Sequence, residues 1–228
     1  MKNFQAPITR QQPVSFTKMV KLDHMPNNGS AMLAVFCDLA FKDQADFRPW
    51  LAEDMFPARL NIGFRNCASF NLRQGEGSKF VTLYETPSLG HLYDVPYQEL
   101  RRTRRSRDAA YHKKFQNLQR YILTWIGPEI SKKGSGFARY LRIERFDPKD
   151  NLIEEFNAWF VNTYIPTLLN SDNTVGLRRF ISIEGPHKYF IIHELIDLEI
   201  SRDNNQLTQK TKFGINVSGI YQRIIQSP

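Results

Sequence analysis

Two stretches of this chain carry the same residues at the same spacing. Phe47, Trp50, Pro57 and Leu60 stand 109 positions before Phe156, Trp159, Pro166 and Leu169. The offset also pairs Asp38 with Asp147, Lys79-Phe80-Val81 with Lys188-Tyr189-Phe190, and Glu85 with Glu194. Solenoid units span roughly 20–50 residues, whereas a longer period of this kind is the size of a small self-sufficient domain. One fold is therefore used twice in one chain. The expected organisation is an N-terminal arm at 1–30 with no partner in the second copy, a first repeat at 31–126, a linker at 127–136 and a second repeat at 137–228.

Each copy runs through the same elements. MLAVFCDLAF and ARYLRIERF are strand-length runs that end in turns. Phe47, Trp50, Leu51 and Met55, like Phe156, Trp159, Phe160 and Tyr164, recur at intervals of 0, 3, 4 and 8, which is one apolar stripe of a helix. Asp43 or Asp46 is placed to cap the first of these helices, and Pro57 and Pro166 fall where each is expected to end. Two β-rich runs joined through glycine follow in both copies and read as hairpins, because glycine accepts the positive φ of such turns. A second helix, carrying Tyr111, Phe115 and Leu118 in the first copy, leads to a last strand, RYILTWI or GIYQRII.

The order βαββαβ is ferredoxin-like, with an antiparallel sheet and both helices on one face. The bare faces of two such sheets can cover each other. The expected fold class is therefore α+β, with duplicated ferredoxin-like βαββαβ units forming an intramolecular α+β barrel. Trp50 and Trp159 become core residues at equivalent helix positions.

Composition narrows the class. A chain of 228 residues with 41% hydrophobic content can bury one sizeable core or two modest ones. No stretch approaches the roughly 18 apolar residues of a membrane span, and the start has no secretory apolar run, so the expectation is a cytoplasmic protein without a membrane partner. Cys37 and Cys67, the only cysteines, sit in strand-like contexts and read as buried reduced thiols. The net charge of +8 concentrates in residues 101–114, where seven basic residues face Asp108 alone. A solvated helix face is the favoured reading, and a polyanion-binding patch the alternative.

In its duplicated order over residues 31–226 and in the strings FRPWLAEDMFP, KFVTLYE and KYFIIHELI, the chain resembles the dimeric α+β barrel superfamily, in its EthD-like branch. Members are usually single repeats that pair as homodimers; this chain carries both repeats and is expected to be a monomer or a homodimer. The resemblance implies cofactor-free oxygenases, isomerases, cyclases, decarboxylases, dehydratases or haem enzymes, without choosing among them.

The third strand of each repeat brings ionisable side chains into an apolar run: Tyr84-Glu85 aligns with His193-Glu194. Alternation puts Tyr84 and His193 on one face and Glu85 and Glu194 on the other. The expectation is that the Tyr84 and His193 face looks into the barrel, His193 moving a proton and Tyr84 donating to an oxyanion, with Glu85 and Glu194 as the alternative acid–base pair. In the second repeat Arg142 and Glu144 share a strand face and form a candidate polar patch for substrate binding, so that one repeat keeps a polar pocket and the other serves as scaffold. His24 on the arm and His91 in a loop are further candidates for a barrel mouth, and His112 and His187 read as exposed. No metal spacing appears, so no metal or cofactor is expected, although one unflagged histidine would suffice for haem. Together these readings favour a cofactor-independent lyase, isomerase or oxygenase acting on a small, mostly apolar, aromatic or polyketide-like molecule inside the barrel. A non-catalytic small-molecule-binding protein is the alternative, and a nucleic-acid-binding protein the lesser one, because the strands lack the glycine-containing aromatic string of RNA-binding ferredoxin-like domains.

Overall fold

A computed structural model describes residues 29–132, 136–198, 210–215 and 217–227. The first repeat contributes β1 (Ala31–Asp38), β2 (Asn66–Gly75), β3 (Phe80–Thr86) and β4 (Gln116–Trp125). The second contributes β6 (Tyr140–Phe146), β7 (Thr174–Glu184), β8 (Tyr189–Leu195) and β9 (Val217–Gln226), and a two-residue strand, β5 (Ile130–Ser131), lies between the repeats. The strand order is β4-β1-β3-β2-β9-β6-β8-β7, and β4 pairs with β7 to close the ring. Every pairing is antiparallel. The protein is thus an α+β fold in which two ferredoxin-like units share one eight-stranded barrel, their sheets joined edge to edge by hydrogen bonds at β2–β9 and β4–β7. Within the segment 127–136, β5 pairs with β7 beside the β4 seam.

Eight strands leave an interior just wide enough for side chains to fill. Met32, Phe36, Phe70, Leu83, Tyr121, Phe190, Ile192 and Tyr221, drawn from both repeats, fill it. A separate cluster in each repeat packs the outer sheet face against that repeat's own helices. The aligned acids Asp38 and Asp147 cap equivalent hairpins, accepting the backbone N–H of Lys79 at 2.5 Å and of Lys188 at 2.6 Å.

The helix after the first strand does not end at its proline. In the first repeat it comprises α1 (Phe41–Gln44), α2 (Phe47–Trp50), a π-helical turn at Leu51–Met55 and α3 (Phe56–Leu60). In the second, a 3-10 turn (Asp150–Leu152) leads into α6 (Ile153–Trp159), a π-helical turn at Phe160–Tyr164 and α7 (Ile165–Leu169). The two π turns are 109 residues apart, and in each the wide bond spans five residues, from Phe56 N–H to Leu51 O and from Ile165 N–H to Phe160 O. Proline cannot donate the next helical bond, and the wider turn re-registers the ladder so that the helix passes through it. Nor do Asp43 and Asp46 cap this helix with their side chains. Asp46 instead pairs with Arg107 at 3.1 Å, together with Glu53 and Asp54.

The basic segment lies on α4 (Val95–Arg102) and α5 (Ser106–His112), which pack outside the first half-sheet. Trp50 is fully buried, stacked on Tyr111 at 4.4 Å and donating through Nε1 to Asp108 at 2.9 Å. Trp159 is half-buried and stacks on Tyr164 at 4.8 Å, so the equivalent positions are not equally enclosed. Cys37 and Cys67 are free and buried, and burial pushes both thiols up to about 12. Among the described residues no helix is long and apolar enough to cross a membrane.

Candidate acid–base site between sheet and helices

The third strands do separate Tyr84 and His193 from Glu85 and Glu194, but the faces are the reverse of the expected ones. Val81, Leu83 and Glu85 point into the barrel, as do Phe190, Ile192 and Glu194, while Tyr84 and His193 point outward at the helices. The physical reason is the width of the barrel. The narrow interior is filled by packed side chains and admits charge only where Arg178 meets Glu85 and Glu194, whereas His193 finds its polar partners, and Tyr84 its aromatic ones, in the helix layers.

Tyr84 therefore cannot meet His193. It packs on Phe56 and Phe64 in the first repeat, with the Arg59 guanidinium 4.7 Å from its ring centre. Burial, partly opposed by Arg59, raises its phenol.

Glu85 and Glu194 meet inside the barrel across Arg178. Arg178 donates to Glu85, and its Nη2 lies 3.4 Å from Glu194 Oε1; all three are buried. Asn66 Nδ2 donates to Glu85 at 2.5 Å and the Ala138 N–H to Glu194 at 2.7 Å. This arrangement sets one guanidinium between two buried carboxylates, and Gly176 makes room for it: a Cβ there would stand 3.1 Å from the Glu194 side chain.

His193 sits in the second repeat's helix layer with the two substrate-binding candidates of its neighbouring strand. Register pairs Arg142 with His193 between β6 and β8. His193 Nε2 lies 3.2 Å from Glu144 Oε2, and Arg142 Nη2 lies 3.3 Å from His193 Nδ1. The network assigns the proton to Nε2, donating to the carboxylate, and leaves Nδ1 to accept from Arg142. Tyr164, the last residue of the π turn, brings its hydroxyl to 3.4 Å from His193 Nε2 and accepts from Arg142 at 3.0 Å. Lys210 closes the set, its Nζ 2.5 Å from Glu144 Oε1 and 4.8 Å from the Tyr164 ring centre.

Five ionisable groups thus share one buried layer, and their proton affinities are driven apart. Burial alone would raise the Glu144 carboxyl, but Lys210, then His193 and Arg142, outweigh it and hold the group ionised, well below the usual carboxylate range. Burial and then Glu144 push the Tyr164 phenol well above its ordinary value. Burial, reinforced by Arg142, brings His193 down to about 3 against the opposing pull of Glu144, so its imidazole is neutral. Burial also brings Lys210 down to about 8 even though Glu144 favours its charge. Divergent titration of this kind is found at acid–base sites and in buried ion-pair networks alike. The cluster opens to solvent at one side: the Arg142 and Lys210 side chains remain 15% and 10% exposed, whereas His193 is closed off. Trp159 and Phe213, 5.3 Å apart, form an aromatic wall beside that opening.

Sequence reasoning singled out His193, Arg142 and Glu144 but missed Tyr164 and Lys210. Tyr164 had one available signal, since it aligns with Met55 and so puts a phenol where the first repeat has a thioether. Lys210 offered none, because its segment has no strong periodicity.

The remaining histidines fall elsewhere. His24 lies outside the described residues. His91 is half-buried beside Gly63 and its Nε2 donates to Ile62 O at 3.2 Å. His187 is half-buried rather than exposed, 2.7 Å from the Tyr121 hydroxyl, and His112 is half-buried beside a cleft in the first repeat. The cleft, about 80 Å³, is small for a porphyrin, and the rings of His91, His187 and His193 are engaged as described. These surroundings do not fit haem. Among the described residues no group of three or more His, Cys, Asp or Glu is placed to hold a metal ion.

No protein family matches the chain, and no curated protein does. Its fold is similar to that of solved structures at low sequence identity. A protein of Fusobacterium nucleatum subsp. nucleatum named "putative monooxygenase" superposes with a TM-score of 0.60 at 12% identity, over 87% of this chain and 94% of that one. An anthrone oxidase-like protein gives 0.59 at 8% identity, over 88% and 93%. A mutant chlorite dismutase of Candidatus Nitrospira defluvii gives 0.52 at 11% identity, over 89% and 93%. At these identities the likeness is one of fold, the dimeric α+β barrel arrangement within a single chain.

Proposed function

We propose that the protein is a cofactor-independent oxygenase of the EthD-like kind that acts on a small, enolisable aromatic molecule at the Lys210–Tyr164 side of the second repeat. The observation that carries this reading is the buried layer in which Lys210, Glu144, His193, Tyr164 and Arg142 meet beside an aromatic wall. The fold similarity to proteins named as monooxygenase and anthrone oxidase-like supports oxygenation over lyase or isomerase chemistry.

In this reading the substrate ring stacks on Trp159 with its ketone oxygen, where the enolate charge collects, toward the Arg142 guanidinium and the Tyr164 hydroxyl. The neutral Lys210 amine removes a proton from the activated CH2, and Glu144 holds the resulting ammonium. His193 is a positioning residue, fixing the Glu144 carboxylate through Nε2. Dioxygen oxidises the carbanion: the CH2 loses both hydrogens and gains one oxygen atom as C=O, while the second oxygen leaves as water.

The test is oxygen consumption with an anthrone probe. Lys210→Met is expected to lower turnover by roughly 10²- to 10⁴-fold, the usual weight of a general base. Saturable binding of the probe without oxygen uptake would make the protein a carrier instead. Nucleic-acid binding on the sheet is disfavoured by the architecture, because one face of the barrel is its packed interior and the other lies under helices.

A further inference from the structure

The helix layer of the first repeat holds a different assembly. A cleft of about 80 Å³ opens between β1, β4 and helices α3 to α5. An ordered water needs roughly 10–15 Å³ of such space. The cleft therefore has room for a group of several non-hydrogen atoms. One wall is apolar, made by Leu33, Val35, Met55 and Leu118, and the other carries the guanidinium groups of Arg59, Arg101, Arg104 and Arg120.

Only one acid, Asp108, lines this space, and its Oδ1 already accepts the Trp50 indole N–H. Arg59 is only 8% exposed. Its Nη1 donates to Met55 O at 3.1 Å, yet its Nε is buried without a hydrogen-bond partner. Arg120 commits Nη1 to Glu184 at 2.5 Å and also engages the Tyr97 hydroxyl, while its Nη2 is buried. Among the described residues no ion pair engages Arg59, Arg101 or Arg104. Buried donors and unpaired buried charge are costly, and an anion in the cleft would relieve both. The same positive field acts on His112, which burial first, then Arg104 and Arg59, bring down to about 4.

We propose that this cleft is a binding site for the carboxylate of a small organic acid, with the carboxylate among Arg59, Arg104 and Arg120 and the apolar body against Leu33, Val35, Met55 and Leu118. The apolar wall selects against a free inorganic oxyanion, whose remaining oxygens would find no donors there. The site is separate from the Lys210 cluster and does not depend on the function proposed above.

Calorimetric titration of the full chain with benzoate, benzyl alcohol and inorganic phosphate tests the assignment. Benzoate is expected to bind once per chain and to weaken as salt is raised, with benzyl alcohol and phosphate each at least tenfold weaker. Arg59→Met should lower benzoate affinity at least tenfold and Arg104→Gln severalfold, while Arg105→Gln, at an exposed position outside the cleft, leaves it unchanged. A thermal melt establishes that Arg59→Met is folded; if it is not, the exposed Arg104→Gln variant carries the test. Equal affinity for benzyl alcohol, equal affinity for phosphate, or an Arg104→Gln variant that binds like wild type would each overturn the proposal.

Discussion

A proton placed on His193 would sit between Arg142 and Glu144, with Lys210 close behind, at a ring that is itself closed off from solvent. Its folded-state affinity is therefore held down to about 3, against about 6.5 in the unfolded chain. Between those values the unfolded state binds the extra proton, so stability falls as pH drops below about 6.5, by at most about 1.4 kcal/mol per pH unit from this group. Urea melts between pH 7 and 5 should show wild type losing stability more steeply than His193→Gln, the residual slope coming from His112 and His187, which are also brought down. Parallel slopes would mean that His193 is not buried in its neutral form. The opposite limb belongs to Lys210. As a base it works only when deprotonated, so kcat/KM of the proposed reaction should rise with pH and level off above about 8. A profile flat from pH 6 to 9 would remove Lys210 from the proton transfer.

The repeated elements are equivalent in backbone and unequal in surroundings. Trp50 and Trp159 hold the same place in matching helices, but Trp50 is enclosed by Tyr111 and Asp108 while Trp159 keeps one side open. Truncation to alanine is accordingly expected to cost about 3–5 kcal/mol at Trp50 and about 1–2 kcal/mol at Trp159, read by chemical denaturation. The hairpin caps follow the same logic. Asp38 and Asp147 both hold a lysine N–H, but Asp38 also accepts from Asn117 Nδ2 at 2.7 Å, and Asn117 opens β4 at a φ of 49°. Asp38→Ala should therefore destabilise by about 1 kcal/mol more than Asp147→Ala. Equal losses would show that the Asn117 contact contributes nothing.

At the scale of the molecule, the two repeats are closed into one ring by the β2–β9 and β4–β7 seams. The interior cluster draws residues from both, so neither half can keep its inner face dry without the other. Unfolding should then be a single cooperative transition. Within each variant that keeps tryptophan in one repeat only, the fluorescence midpoint in urea is expected to coincide with that variant's own far-UV circular-dichroism midpoint. Two separated midpoints would indicate that the seams are too weak to couple the halves.

How much of this was legible beforehand depends on which forces set it. The offset of 109, the alternation in the third strands and the paired aspartates at the hairpins are local patterns, repeated in the chain itself, and they sufficed for two ferredoxin-like units in one barrel. They also placed His193, Arg142 and Glu144 as candidates, since residues two apart on a strand share a face whatever the fold. Alternation cannot say which face is inner. That was decided by the closed eight-stranded ring, where Arg178 from β7 meets Glu85 and Glu194 inside while the partners of His193 lie on its own repeat's outer layer. The π turns that carry each helix through its proline arise from a missing hydrogen bond compensated in three dimensions. Lys210, with no periodic signal of its own, reaches Glu144 across 66 residues of chain only because the tertiary fold brings its helix over β6. Spacing along the chain determines faces and repeats; burial, which depends on what packs against those faces, decides where the protons and charges reside.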